Sequence, residues 1–230
     1  MPICWICGAV ADSAEHMVKA SDVRAIFPSL NHRSPAFRHS QGRTNEPVRG
    51  ANALILKFRP SLCQHCNNAR SQPWDRAWEL LERKLREAKP PLKAGDRIPL
   101  GRIFSSNRTE SMVHVHQFFT KLMGCIAIEH NIPLPIASFA QHLKAGAAEP
   151  TLRIAFVHIP PGSSKIKIHV GNVHAKTDKV TGVIATAVWH YVVGSFCVEV
   201  SYARAGFAQL RFVRRLGWHP DDVSRTWKLD

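Results

Sequence analysis

Two Cys-x-x-Cys pairs constrain the first third of this chain: Cys4 with Cys7, and Cys63 with Cys66. Each pair offers two thiolates from one tight turn. Two such turns complete the closed, tetrahedral four-sulfur shell of a structural zinc site. The site would also tie together the ends of a long excursion, because 55 residues (8–62) lie between Cys7 and Cys63. Gly8 follows the first pair and supplies the backbone freedom that such a turn needs. Cys125 and Cys197 stand alone in apolar surroundings and read as core residues. Six cysteines behind an N-terminus, MPICWICGAV, that lacks the form of a secretory leader point to a reducing compartment and a cytoplasmic protein.

Charge narrows the partner. The 230 residues carry a net +14, which favours a polyanion, and nucleic acid is the commonest one. The excess is even: residues 1–95 hold 15 Lys+Arg against 8 Asp+Glu, and residues 96–230 hold 16 against 9, so each part is +7. No membrane partner is expected. The longest apolar run, Val183 to Val198, is broken by His190 and Gly194 and is rich in β-branched residues, as buried strands are.

Along the chain, Ser21 is placed to cap a short helix with Val23, Ile26 and Phe27 facing inward. From Pro28 to Gly50 the composition turns polar and reads as a long loop. Its Arg33, Arg38, Arg43 and Arg49, with Lys19 before it, form a set suited to phosphate contact. Ala53–Phe58 (ALILKF) reads as a strand. Pro73 to Lys89 reads as a helix with Trp74, Trp78, Leu81 and Leu85 on one stripe, and Pro90–Pro91 stops it. Residues 90–101 read as a linker, dividing a domain over 1–89 from another over 102–230.

Asn107 and Glu110, at capping-box-like spacing, open a helix over about 108–130 that carries Met112, Val115, Phe119, Leu122 and Ile126. A shorter helix is expected over 135–144. From Thr151 the period becomes two, and LRIAFVHI, KIKIHV, VIATAVWHYV and FCVEVSYA read as four antiparallel strands. The fold class expected is therefore α+β. His114 and His116 point apart on a helix, His65 reads as a spacer within its cysteine turn, and Asp75 reads as a helix-dipole carboxylate.

The ordered set CWICG (4–8), EHMVKASD (15–22) and LCQHCNNARSQPWD (62–75) resembles the zinc-bearing branch of the HNH (ββα-metal) endonucleases, over residues 1–89 and nothing after. The resemblance implies a structural zinc on Cys4, Cys7, Cys63 and Cys66, with His16 as the general base. Glu15 and Asn67 would be ligands of a catalytic divalent cation such as Mg²⁺. Asn67 stands where the family's last His falls. The chain departs from the pattern at Phe58, where the family often has Asn; the middle asparagine is then Asn45 or Asn52.

The function implied is hydrolysis of DNA phosphodiesters, on duplex, branched or modified substrates. The contrasting reading is a non-catalytic zinc-ribbon module that binds nucleic acid. Residues 102–230 are expected to select the substrate or to form a homodimer.

Overall fold

Helix α4 (Arg108–Glu129) is the element around which the other parts assemble. In this computed structural model, residues 1–40, 43–160, 167–204 and 217–220 are described. An ordinary surface helix buries one stripe, but α4 buries side chains all round it over its last four turns. Phe119, Leu122, Cys125 and Ile126 are at most 2% exposed, and Lys121 is 0% exposed.

Helix α2 (Gln72–Arg86) packs along α4 through Trp74, Ala77, Trp78, Leu81 and Leu85. Pro73 sits in its first turn as expected. Glu82 and Arg86 pair at 2.9 Å across one turn. Trp78 is the hub of the aromatic core: it stacks on Phe118 at 5.6 Å and meets Phe119 edge-on at 4.9 Å and Tyr191 at 5.8 Å. Aromatic pairs in these geometries add to the stabilisation that area burial alone provides.

The C-terminal part supplies α5 (Ile136–Ala145) and a five-stranded antiparallel sheet. The sheet comprises β3 (Leu152–His158), β4 (Ile168–Val170), β5 (His174–Thr177), β6 (Ile184–Val193) and β7 (Phe196–Ala203). Its order is β3-β7-β6, with β4 and β5 both pairing along the far edge of β6. Gly194, at φ +60°, makes the tight turn that joins β6 to β7. The architecture is α+β with an antiparallel sheet. Residues 90–101, read above as a linker, lead into the short helix α3 (Leu100–Ile103), and Ile98, Ile103 and Phe104 enter the same core cluster as Trp78 and Phe119.

Several local expectations are corrected. Ala53–Phe58 is not a strand: Leu54–Leu56 form a 3-10 turn with Leu54 83% exposed, and the chain becomes extended only at Lys57. Pro28–Gly50 is not all loop, since β1 (Ala36–Ser40) and β2 (Arg43–Val48) pair antiparallel. The partly covered face of that ribbon carries Ala36, Arg38, Ser40 and Glu46, with only Val48 fully buried, so no apolar alternation marked it. Helix α1 (Ala20–Ile26) starts one residue before Ser21, whose hydroxyl donates to Glu79 Oε1 at 3.2 Å instead of capping. Among the described residues the sheet has five strands where four were expected; the added strand, β5, is exposed at every position and lacks a period-two pattern. Part of KIKIHV and most of the turn before it lie outside the described residues. No helix among the described residues is long and apolar enough to cross a membrane.

Candidate functional site

The cysteine turns are held by backbone bonds that the sequence makes available. Cys4 N–H donates to Ala9 O at 2.7 Å and Gly8 N–H to Cys4 O at 2.8 Å, with Gly8 at φ +83°. The second turn closes with Asn67 N–H on Cys63 O at 2.9 Å. The four Sγ atoms lie within 4.8 Å of one another, and those of Cys7 and Cys63 are 3.6 Å apart. Four thiolates about 2.3 Å from a tetrahedral zinc would sit about 3.8 Å apart, so the cluster can hold a metal ion such as zinc. Burial pushes the Cys66 thiol up, and Arg70 Nη1, 3.3 Å from its Sγ, works against that rise. His65 is exposed, as a spacer would be.

Between the turns, residues 13–17 run antiparallel to residues 56–62. Bridges join Ser13 to Leu62 and His16 to Lys57. The bonds are Ser13 N–H to Leu62 O at 2.9 Å, Phe58 N–H to Glu15 O at 2.9 Å and Met17 N–H to Leu56 O at 2.8 Å. The second cysteine turn and then α2 follow directly, so two extended segments, the turn and a helix make up the frame.

His16 and Asn67 fall on this frame. Asn67 Nδ2 donates to Ser13 Oγ at 2.9 Å, which aims the amide toward the strand that carries His16. Among the described residues, His16 Nε2 and Asn67 Oδ1 are both buried without a hydrogen-bond partner. Buried polar atoms are almost always satisfied, so each orphan marks a place for a ligand atom or an ordered water. Burial holds the His16 imidazole below its usual range, and Glu15 pulls the other way. The ring is therefore neutral at pH 7, with a nitrogen lone pair free to accept a proton.

Glu15 is fully engaged: Oε1 accepts the His16 N–H at 3.0 Å, and Oε2 lies 2.6 Å from Lys121 Nζ. Lys121 also reaches Asp75 Oδ1 and Ser71 Oγ, each at 3.3 Å. Burial alone would depress that ammonium, but the Glu15 and Asp75 charges outweigh it and the pKa is raised. Asp75 continues the chain of charges to Lys19 at 3.0 Å, and Lys19 reaches Glu79 at 3.6 Å.

Lys121, Ser71, Ser13 and the pairing role of Asp75 were not anticipated. A lysine set in the largely apolar run FFTKLMG was the available signal, because a buried lysine must be paired.

The expected phosphate-contact residues separate into two kinds. Lys19 is committed to Asp75 and Glu79, and Arg38 Nη1 donates to Ile55 O at 2.6 Å. Arg33, Arg43 and Arg49 are exposed on and beside the β1–β2 ribbon, with Arg43 making one 3.4 Å contact to Glu46. The two middle-asparagine candidates lie away from the frame's bridges: Asn45 is in β2 at φ +57°, and Asn52 is exposed before the 3-10 turn. Phe58 is buried in the core. His116 is fully buried, and burial drives it down to about 3, so it is a neutral core residue. No family model, curated protein or solved structure matches this chain.

Proposed function

We propose that this chain is a metal-dependent endonuclease of HNH type that hydrolyses DNA phosphodiester bonds, with His16 as the general base. The observation that carries the reading is the pair of buried, partnerless atoms His16 Nε2 and Asn67 Oδ1, on an antiparallel frame beside a four-cysteine cluster. Hydrolysis needs a water stripped of its proton in line with the phosphorus. A neutral, half-buried imidazole fixed by its own backbone bridge meets that need. A four-thiolate zinc has no open coordination position, so the cysteine cluster serves the fold and not the chemistry.

Of the two expected cation ligands, Asn67 Oδ1 is an oxygen without a partner, whereas both Glu15 oxygens already serve the His16 N–H and Lys121, so Asn67 is the donor that stands open. A divalent cation such as Mg²⁺ held there would offset charge on the phosphate oxygens. Exposed Arg33, Arg43 and Arg49 supply phosphate contacts that hold the duplex over the frame.

Plasmid nicking with and without Mg²⁺ tests the reading. His16→Ala is expected to slow cleavage by about 10²–10⁴ while leaving DNA affinity and bound zinc unchanged. Asn67→Ala is expected to raise the Mg²⁺ concentration required. A His16→Ala protein that nicks at the wild-type rate removes His16 from the chemistry. Binding without cleavage under every divalent cation assigns the chain to the non-catalytic nucleic-acid-binding class.

A further inference from the structure

We infer that Lys121 is a positioning residue: through it the C-terminal part of the chain holds both Glu15 and Ser71, and so sets the placement of His16 and Asn67. The consequence for activity rests on the nuclease reading above; the placement itself rests on geometry.

Lys121 is completely buried, and its three ammonium hydrogens have three acceptors: Glu15 Oε2 at 2.6 Å, Asp75 Oδ1 at 3.3 Å and Ser71 Oγ at 3.3 Å. Two of those acceptors lead directly to the site. Glu15 uses its other oxygen to accept the His16 N–H at 3.0 Å, and Ser71 Oγ donates to Asn67 O at 2.8 Å. One ammonium thus reaches His16 and Asn67, which carry the partnerless Nε2 and Oδ1, through one intervening residue each. The Phe118 ring, 5.8 Å from Nζ, closes the remaining side of the ammonium.

The helix that carries Lys121 is itself held against the frame. Arg59 N–H donates to Glu129 Oε2 at 2.9 Å, and Ser61 Oγ meets Cys125 Sγ at 3.8 Å, so the 56–62 segment rides on the same helix. A buried ion pair with only a stabilising role would need no such double connection. Here the charge also prevents the Glu15 carboxylate from swinging away from the His16 amide.

The test uses the full chain and four proteins: wild type, Lys121→Met, Glu15→Gln and the double variant, which removes both charges together. Amide hydrogen exchange and the kinetics of DNA cleavage are read in parallel. In Lys121→Met, the His16 and Asn67 amides are expected to exchange about tenfold faster while Gly8 and Ile126 do not change. The kcat is expected to fall by about tenfold or more with KM for DNA within about twofold, as lost positioning requires. Adding Lys121→Met to Glu15→Gln is expected to cost less than Lys121→Met costs alone, because the route through Glu15 is already cut and only the route through Ser71 remains to be lost.

Should Lys121→Met fail to fold, the charge-balanced double variant compared with Glu15→Gln carries the test: faster exchange at the Asn67 amide, the end of the remaining Ser71 route, supports the inference, and unchanged Asn67 exchange overturns it. Wild-type exchange at His16 and Asn67 with wild-type kcat in Lys121→Met also overturns it. A wild-type chain that cleaves no DNA removes the nuclease reading, and amide exchange alone then decides on Lys121.

Discussion

The indole of Trp5 lies across Gly124 so closely that a Cβ at position 124 would sit 2.4 Å from Trp5 Cζ2 and 2.5 Å from Cη2. Trp5 stands between Cys4 and Cys7, so the first cysteine turn is docked on α4 through a residue without a side chain. Gly124→Ala sets two effects against each other. Alanine favours a helix over glycine by about 1 kcal/mol, whereas overpacking a filled contact costs about 1–3 kcal/mol. A 2.4 Å approach to a rigid ring puts the second effect ahead. Gly124→Ala is expected to be about 1 kcal/mol less stable in urea denaturation and to release bound metal faster. A variant as stable as wild type would show that the indole yields without cost.

The four-cysteine cluster predicts its own metal content. Metal analysis of the purified chain is expected to find one zinc, and Cys63→Ser is expected to retain none and to lose the pairing of residues 13–17 with 56–62. Structural zinc commonly contributes about 10–16 kcal/mol of apparent binding energy, so a strong chelator should unfold this part and not merely strip it. Zinc-free protein with a native far-UV spectrum would dispose of the idea.

The sequence made some of this legible for reasons that the structure explains. Helix α2 and strand β6 bury one apolar face, so their periodicity is visible in the residue order, whereas α4 was legible from its length and apolar content. Strand β5 is exposed throughout, and the partly covered face of the β1–β2 ribbon carries mostly polar side chains, so neither has an apolar alternation to read. Cys4, Cys7, Cys63 and Cys66 announce themselves by spacing and do converge. Spacing says nothing about Lys121, which is 106 positions from Glu15 (121 − 15) and reaches it only because α4 crosses beneath the frame. A contact made by tertiary packing between distant segments leaves no local pattern.

Asp22 predicts a pH dependence. Its Oδ2 accepts from Tyr191 OH at 2.7 Å and from Trp78 Nε1 at 3.0 Å in the core. Burial lifts its carboxyl from 3.8 to about 7, against the pull of those two donors, with Glu82 and Glu79 adding to the rise. The folded state therefore binds the proton more tightly than the unfolded chain does. The resulting stability is fully present below the unfolded pKa and is lost as pH rises toward about 7, after which it is flat. The change is at most roughly 4 kcal/mol at 1.36 kcal/mol per pKa unit. Asp22→Asn keeps an acceptor without the charge. Wild-type stability measured relative to Asp22→Asn is expected to fall between pH 5 and pH 7, and parallel pH profiles would mean that Asp22 is ionised in the fold.

The arginines of the β1–β2 region divide by what already holds them, and DNA binding should divide the same way. Arg38 gives its guanidinium to Ile55 O and Lys19 its ammonium to Asp75 and Glu79, so neither can serve phosphate without breaking a bond of the fold. Arg33 and Arg49 are exposed, and the Arg43 side chain is 76% exposed with only a 3.4 Å contact to Glu46, the kind of surface pair worth little. Each cation that neutralises a phosphate contributes about −0.9 to the slope of log affinity against log salt on duplex DNA. Replacing Arg43 and Arg49 by Ala is expected to flatten that slope by about 1.8 and to leave thermal stability unchanged. Lys19→Ala is expected to do the reverse, lowering stability with little change in slope, because it removes a partner of Asp75 and not a phosphate contact. Fluorescence-anisotropy titrations from low to moderate salt on the three proteins read both effects. A Lys19→Ala slope that falls as far as that of the double variant would place the DNA against α1 and not on the ribbon.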